Sequence, residues 1–230
     1  MKNIYIYNDD GVVKKHIKKV KNWAMLTFNS KNVFTINSKD ILSKKYLSKD
    51  NILIIPGGEA RFYTDKLYGN GNIIIRDFIK NGGIYIGICA GAYYASSHID
   101  FIGNDGVINT VQNTDGDLKL FFGTCKGTIR EIAPLYRNDF SSATDIFIDG
   151  FSEKFKTYYN GGPEFIPEKR EEVEIPFLYS KIDKYASIYK IYGKGKVFLF
   201  GFHPELSKDE NLQKKLNLFF RIKVYSNIYS

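Results

Sequence analysis

The sequence predicts an α/β fold in which a parallel sheet core carries helices on both faces and an antiparallel β section is added to it. Three observations point there. Short apolar runs alternate four times with helical segments in the N-terminal part, the pattern of right-handed βαβ crossovers. From residue 100 the chain changes to short strands separated by turns. A fully apolar run then returns in KVFLFGF, residues 196–202, as a strand buried on both faces requires. At 230 residues the chain can bury one sizeable core, so residues 1–230 read as a single domain.

Each element has its local reason. NIYIYN, 3–8, is a buried strand, and VVKKHIKKVKNWAM, 12–25, sets Val13, Ile17, Val20 and Ala24 at helical spacing. NVFTIN is the second strand, after which Ser38 caps a helix running through Leu47. NILIIPGG, 51–58, is a third strand ending in a Gly-Gly turn. After GNGN, IIIRDFIK is a helix closed by Asn81-Gly82, and GIYIGI, 83–88, is the fourth strand. AGAYYASS continues as a helix that His98 closes. FFGTCKGTIREI, DIFIDG, FKTYYNGGP, PFLYS and ASIYKIY supply the antiparallel section. A last helix is expected from near Lys208 to about Val224, with SNIYS as a loose end.

Composition removes several classes of function. Hydrophobic residues at 43% and charged residues at 25% are ordinary globular usage, which excludes a disordered or fibrous chain. No run approaches the ~18 apolar residues of a membrane span. MKNIYIYNDDG holds too short an apolar stretch for a signal peptide, so a cytoplasmic protein without a membrane partner is expected. Cys89 and Cys125 are too few for a disulfide scaffold, and no Cys/His spacing suggests zinc; no metal or organic cofactor is expected, and Cys125 is structural. The net charge of +8 raises nucleic acid as a partner, but the lysines are scattered. Their densest cluster, KKHIKK at 14–19, reads as a solvated helix face with His16 exposed; weak attraction of anions is the alternative.

In an open α/β sheet, sites form beyond the carboxyl ends of the strands. Cys89 follows the fourth strand in Gly87-Ile88-Cys89-Ala90-Gly91, with glycines at the positions a nucleophile elbow crowds. The helix after it aims its N-terminal dipole at the sulfur, which favours thiolate. Phe202-His203-Pro204-Glu205 follows the last core strand, giving an imidazole to take the thiol proton and a carboxylate to orient it. Pro56-Gly57-Gly58 ends the third strand; the Gly58 and Ala90 N–H groups would form an oxyanion hole. Each motif alone can be a plain turn or strand end, whereas together, each at the end of a core strand, they mark a site. Around it, Asn8 and Asp9 end the first strand and serve either as loop caps or in the pocket. Arg61 and Tyr63 could hold a substrate carboxylate or lie at the surface, and Asn160-Gly161-Gly162 is a hairpin signal that also brings Tyr159, Asn160 and Gly161 to the pocket.

YNDDG, IPGGEARFY, GNIIIRDFIKNGGIYIGICAGAYYAS, FFGTCKG, YYNGGPEF and GKGKVFLFGFHPE together resemble the class I glutamine amidotransferase-like superfamily. The closer resemblance is to the N-terminal domain of eukaryotic-type biotin-protein ligase, and it spans nearly the whole chain. It implies a flavodoxin-like core and puts Cys89, His203 and Glu205 on the superfamily's triad positions. Amidotransferases that use glutamine commonly carry Gln four residues after the nucleophile, where Tyr93 stands here, so free glutamine is expected to be a poor substrate. GKGK, 193–196, lacks the arginines of a ligase biotin loop and leads into a strand, so the chain alone should not attach biotin.

The expected function is therefore hydrolysis of, or transfer from, a small-molecule or peptide-like amide through a Cys89 thioester. The pocket would be built from 8–11, 57–63, 93 and 158–163. The competing expectation is a non-catalytic binding or regulatory module that serves a protein partner. A third reading is a cysteine-elbow protein acting on reactive carbonyls or as a redox sensor; His-Pro-Glu argues against it.

Overall fold

The computed structural model describes residues 2–104, 109–134 and 143–225. In order, these residues form β1 (Ile4–Tyr7), α1 (Ile17–Thr27), β2 (Val33–Ile36), α2 (Ser38–Leu42), β3 (Ile52–Ile55), α3 (Ala60–Leu67), α4 (Asn70–Lys80), β4 (Ile84–Ile88) and α5 (Ala90–Ala95). Next come β5 (Ser96–Asn104), β6 (Asn109–Asp115), β7 (Phe121–Gly127), β8 (Thr144–Gly150), β9 (Glu153–Tyr159) and β10 (Glu164–Pro167). The chain then forms β11 (Leu178–Tyr179), β12 (Lys184–Tyr185), β13 (Ser187–Tyr192), β14 (Gly195–Phe200) and α6 (Glu210–Tyr225).

The main sheet has six strands in the order β13-β14-β4-β3-β1-β2. Its five strands from β14 to β2 are parallel, and β13 pairs antiparallel to β14 at one edge. Every residue of β1, β3, β4 and β14 is buried, as expected of a parallel sheet covered on both faces. Alternation sorts the side chains. Ile4 and Ile6 of β1 join a core with Val20, Trp23 and Ala24 of α1 and with Leu216 and Phe220 of α6. Tyr5 and Tyr7 point the other way, into a core with Tyr63, Ile75, Phe78 and Ile79. On the first face Phe220 packs against Phe198 of β14 at 4.8 Å, tilted, and against Trp23 at 6.0 Å, edge to face. Each such buried aromatic contributes roughly 1.5–3 kcal/mol, which holds β14, and hence the residues that follow it, against the sheet.

Two smaller sheets, β10-β7-β5-β6 and β12-β11-β8-β9, form the added section. Their pairs are antiparallel except β5 with β7, which run parallel, a mixture not foreseen from sequence. The helix expected through Ser97 ends at Ala95, and His98 lies in β5 rather than closing the helix. Near the second strand, Asn37 rather than Ser38 is the cap: its side chain accepts from the Asp40 N–H, while Asp40 accepts from the Asn37 N–H. Ser38 instead donates its N–H and hydroxyl to Asp9 at 2.9 and 2.6 Å, and the helix stops at Leu42, short of Leu47.

Register decides where the loops emerge. Ile88 pairs with Phe200 and Gly87 with Ile55, so β4, β14 and β3 end side by side. Cys89, Gly57 and His203 therefore leave the sheet at one edge.

Candidate functional site

Cys89 is the residue between β4 and α5. Its φ of 50° and ψ of −104° lie in the left-handed half of backbone space, where a non-glycine residue is strained, and its N–H donates to the Phe200 carbonyl at 2.8 Å. A Cβ on Gly91 would overlap the Ile55 carbonyl, so the helix after the cysteine can lie this close to β3 through glycine alone. The thiol is buried and donates to the Asn160 carbonyl at 3.6 Å.

His203 hangs from the loop after β14. Its N–H donates to the Tyr158 carbonyl at 2.8 Å, tying that loop to β9. Nδ1 donates to Glu205 Oε1 at 2.8 Å, with both side chains almost wholly buried. Burial by itself would lower the His203 pKa, but the Glu205 carboxylate and the facing Cys89 thiol more than offset it and hold the imidazole up to about 10. The pair therefore favours the protonated ring. A Cβ added to Gly57 would lie 2.8 Å from His203 Cε1 and 3.5 Å from Cys89 Cβ, which shows how closely the three loops meet. Three buried polar atoms here have no hydrogen-bond partner among the described residues: His203 Nε2, Glu205 Oε2 and Asn160 Oδ1. Orphaned buried groups of this kind carry a desolvation cost that a bound ligand relieves.

The other expected residues divide. Gly58 lies beside the Gly11 carbonyl in the loop next to His203, and Ala90 opens α5 directly after the thiol. Asn160 and Gly161 reach the site through their backbones. Tyr63, Tyr93 and Tyr159 turn their hydroxyls to backbone carbonyls and brace the loops around the site. The Tyr63 hydroxyl donates to the Pro56 carbonyl at 3.1 Å, Tyr93 to Gly161 at 3.1 Å and Tyr159 to Gly162 at 2.8 Å. Asp9 acts as a loop cap: burial opposes its ionisation, but the Ser38 hydroxyl and N–H hold its carboxyl below the usual range. Asn8 accepts from Lys14 Nζ at 3.0 Å. Arg61 lies exposed on α3 and pairs with Glu59 at 2.7 Å. It borders a cleft of about 120 Å³ shared with Asp65, Tyr94, Asp115 and Asp117, whose lining includes none of Cys89, His203 and Glu205.

Sequence reasoning missed His16. It is half-buried rather than exposed, and its ring meets that of His203 edge to face at 6.4 Å; Tyr158 packs on the same ring at 5.7 Å. The available signal was position: His16 follows β1, on the same sheet edge as the elbow. Cys125 lies buried on β7, donates to the Ala92 carbonyl at 3.5 Å, and burial pushes its thiol far up despite a Ser96 hydrogen bond. Among the described residues no group of three or more His, Cys, Asp and Glu side chains is placed to hold a metal ion, and no helix is long and apolar enough to cross a membrane.

Residues 2–223 match the family described as "Biotin-protein ligase, N terminal". The chain belongs to the biotin-protein ligase N-terminal family. Within that relationship it is 29% identical over 222 residues to a biotin–protein ligase of Schizosaccharomyces pombe, covering 90% of this chain and 34% of the ligase. The chain thus spans about a third of that relative's length. Among solved structures, a putative GMP synthase protein from Thermoplasma acidophilum aligns with a TM-score of 0.56 at 14% identity, over 97% of this chain and 94% of that one. A catalytic mutant of Gan42B, a GH42 β-galactosidase from G. stearothermophilus, aligns with a TM-score of 0.60 at 12% identity, over 98% of this chain and 30% of the other. Likeness at such identity concerns the fold, and two such different names on one fold show why function must be argued from the site.

Proposed function

We propose that this member of the biotin-protein ligase N-terminal family hydrolyses, or transfers an acyl group from, a small amide through a thioester on Cys89. The observation that carries the reading is the strained Cys89 set against a fully buried His203–Glu205 pair. His203 is the acceptor of the Cys89 proton, a transfer favoured by the Glu205 carboxylate that raises the imidazole pKa. Cys89 gives its thiol proton to His203 Nε2 and attacks the carbonyl, with the Ala90 and Gly58 N–H groups facing the developing oxyanion. His203 gives its Nε2 proton to the departing nitrogen, the C–N bond breaks and the thioester remains. Water then attacks; the now neutral His203 takes its proton, and Cys89 leaves as thiolate with release of the carboxylic acid. Glu205 keeps the ring oriented throughout.

Free glutamine is expected to be a poor substrate. Tyr93 stands where a carboxamide side chain would meet it, and its hydroxyl is already engaged by Gly161. A second reading, a binding module serving a ligase-like partner, is favoured by the closed state of the site, in which the thiol is held by the Asn160 carbonyl. Ammonia release from a panel of small primary amides, measured beside Cys89→Ala, separates the two. The hydrolase reading predicts Cys89-dependent release from at least one amide and slow release from glutamine. Release that is the same in Cys89→Ala for every amide would leave the binding module. Rapid Cys89-dependent glutamine hydrolysis would overturn the restriction on glutamine.

A further inference from the structure

Of the orphaned polar atoms at the Cys89 site, the steps above use His203 Nε2 and leave Asn160 Oδ1 idle. Asn160 is only 7% exposed. Its own carbonyl lies 3.6 Å from the Cys89 sulfur, and bond lengths allow the side-chain oxygen no more than about 5 Å from that carbonyl, so the carboxamide stays at the site in every rotamer. An asparagine before Gly-Gly has two ordinary uses, and neither applies. An Asx turn would give Oδ1 the N–H of Gly162, two residues on, yet Oδ1 accepts no bond from the described residues. A left-handed backbone would also favour asparagine, but the positive φ falls on Gly161, at 73°, and not on Asn160.

The segment that carries the side chain is firmly held. The hydroxyls of Tyr93, Tyr159 and Tyr179 donate to the Gly161, Gly162 and Pro163 carbonyls at 3.1, 2.8 and 2.8 Å. A Cβ on Gly162 would overlap the Gly201 carbonyl, so the same segment packs backbone to backbone on the loop that leads to His203. A buried acceptor is thus fixed beside the thiol, at a desolvation cost that a ligand N–H would remove.

Resting on the hydrolase reading above, we propose that Asn160 is the specificity residue that makes the site select amides over esters: its Oδ1 accepts an N–H from the substrate's leaving nitrogen. When the thiol turns from the Asn160 carbonyl to give its proton to His203, that carbonyl becomes a second acceptor, so a primary amide can place both of its N–H groups. Both bonds strengthen as His203 protonates the nitrogen and positive charge develops there, which favours the transition state over the bound amide. An ester oxygen presents a lone pair instead and leaves Oδ1 unpaired.

Propionamide and methyl propionate, both hydrolysed to propionate, are matched probes, and the ratio of their kcat/KM values, amide over ester, is the readout. Asn160→Leu, close in shape but without an acceptor, should lower that ratio about tenfold or more while the ester rate holds or rises. Asn160→Asp keeps the acceptor and should keep the ratio within about twofold of wild type, even if both rates fall. A merely structural role would slow both probes together; an unchanged ratio in Asn160→Leu, or an equal fall in Asn160→Asp, overturns the proposal. If urea unfolding shows that Asn160→Leu is not folded, Asn160→Ala is measured against Asn160→Asp with the same expectations. Where neither probe is hydrolysed, the ammonia panel above decides the hydrolase reading, and binding seen by ligand-observed NMR decides this one. Saturable binding of propionamide that exceeds that of methyl propionate and is lost in Asn160→Leu supports the selection; equal binding of the two probes, or no binding of propionamide, refutes it.

Discussion

At residue 89 the chain accepts a backbone angle that costs about 1–3 kcal/mol in a non-glycine residue, and it does so with a thiol that donates to a loop carbonyl. Glycine would remove the strain, so the side chain is kept here at a backbone cost. Cys89→Ala and Cys89→Gly both lose the sulfur and differ mainly in tolerance of φ near 50°. Cys89→Gly is therefore predicted to be more stable than Cys89→Ala by about 1 kcal/mol in urea unfolding, the reverse of the usual entropic order. A glycine variant less stable than the alanine variant would show that the elbow is not strained.

The elements that hold the site are the least conspicuous in the sequence. Tyr93, on α5, ties the elbow helix to the 160–162 loop through the Gly161 carbonyl, so Tyr93→Phe should lower stability by about 1–2 kcal/mol and speed Cys89 alkylation as that loop loosens. Equal stability and equal alkylation in Tyr93→Phe would remove it from the support of the site. The parallel strands were legible because burial on both faces makes them continuously apolar. That Cys89 and His203 leave the sheet at one edge was legible because each lies just beyond a continuously apolar strand, β4 and β14, which pair side by side. Helix α3 was not: ARFYTDKL is short and half polar, its cap Glu59 accepts no capping hydrogen bond from the helix backbone, and its docking depends on Tyr63 and Leu67 reaching a core built by distant strands. The cap of α2 was misplaced by one residue because Asn37 and Ser38 are both good caps, and the tie between Ser38 and Asp9 that decides between them spans 29 residues. The hydroxyl partners of the tyrosines were illegible for a similar reason. Residues 63, 93 and 159 are near the site in sequence terms, but their hydroxyls turn to backbone carbonyls.

Across the whole molecule the buried His203–Glu205 pair couples folding to pH. Folding raises the His203 pKa from 6.5 to about 10, so its contribution is fully present below about pH 6.5 and fades as the pH climbs through about 10. Wild-type stability should thus decline over that window. In Glu205→Gln the decline should flatten, and stability should instead fall toward acid, where a buried neutral His203 must take up a proton. Parallel pH profiles for the two proteins would contradict the pairing. The central claim, that Cys89 and His203 form one reactive unit, is tested most directly by the rate of Cys89 alkylation by iodoacetamide near neutral pH, with Cys125 as internal reference. The account predicts that Cys89 reacts while buried Cys125 stays silent in the folded protein, and that His203→Gln slows Cys89 by about tenfold or more. Equal labelling of the two cysteines, or a Cys89 rate unchanged by His203→Gln, would contradict it.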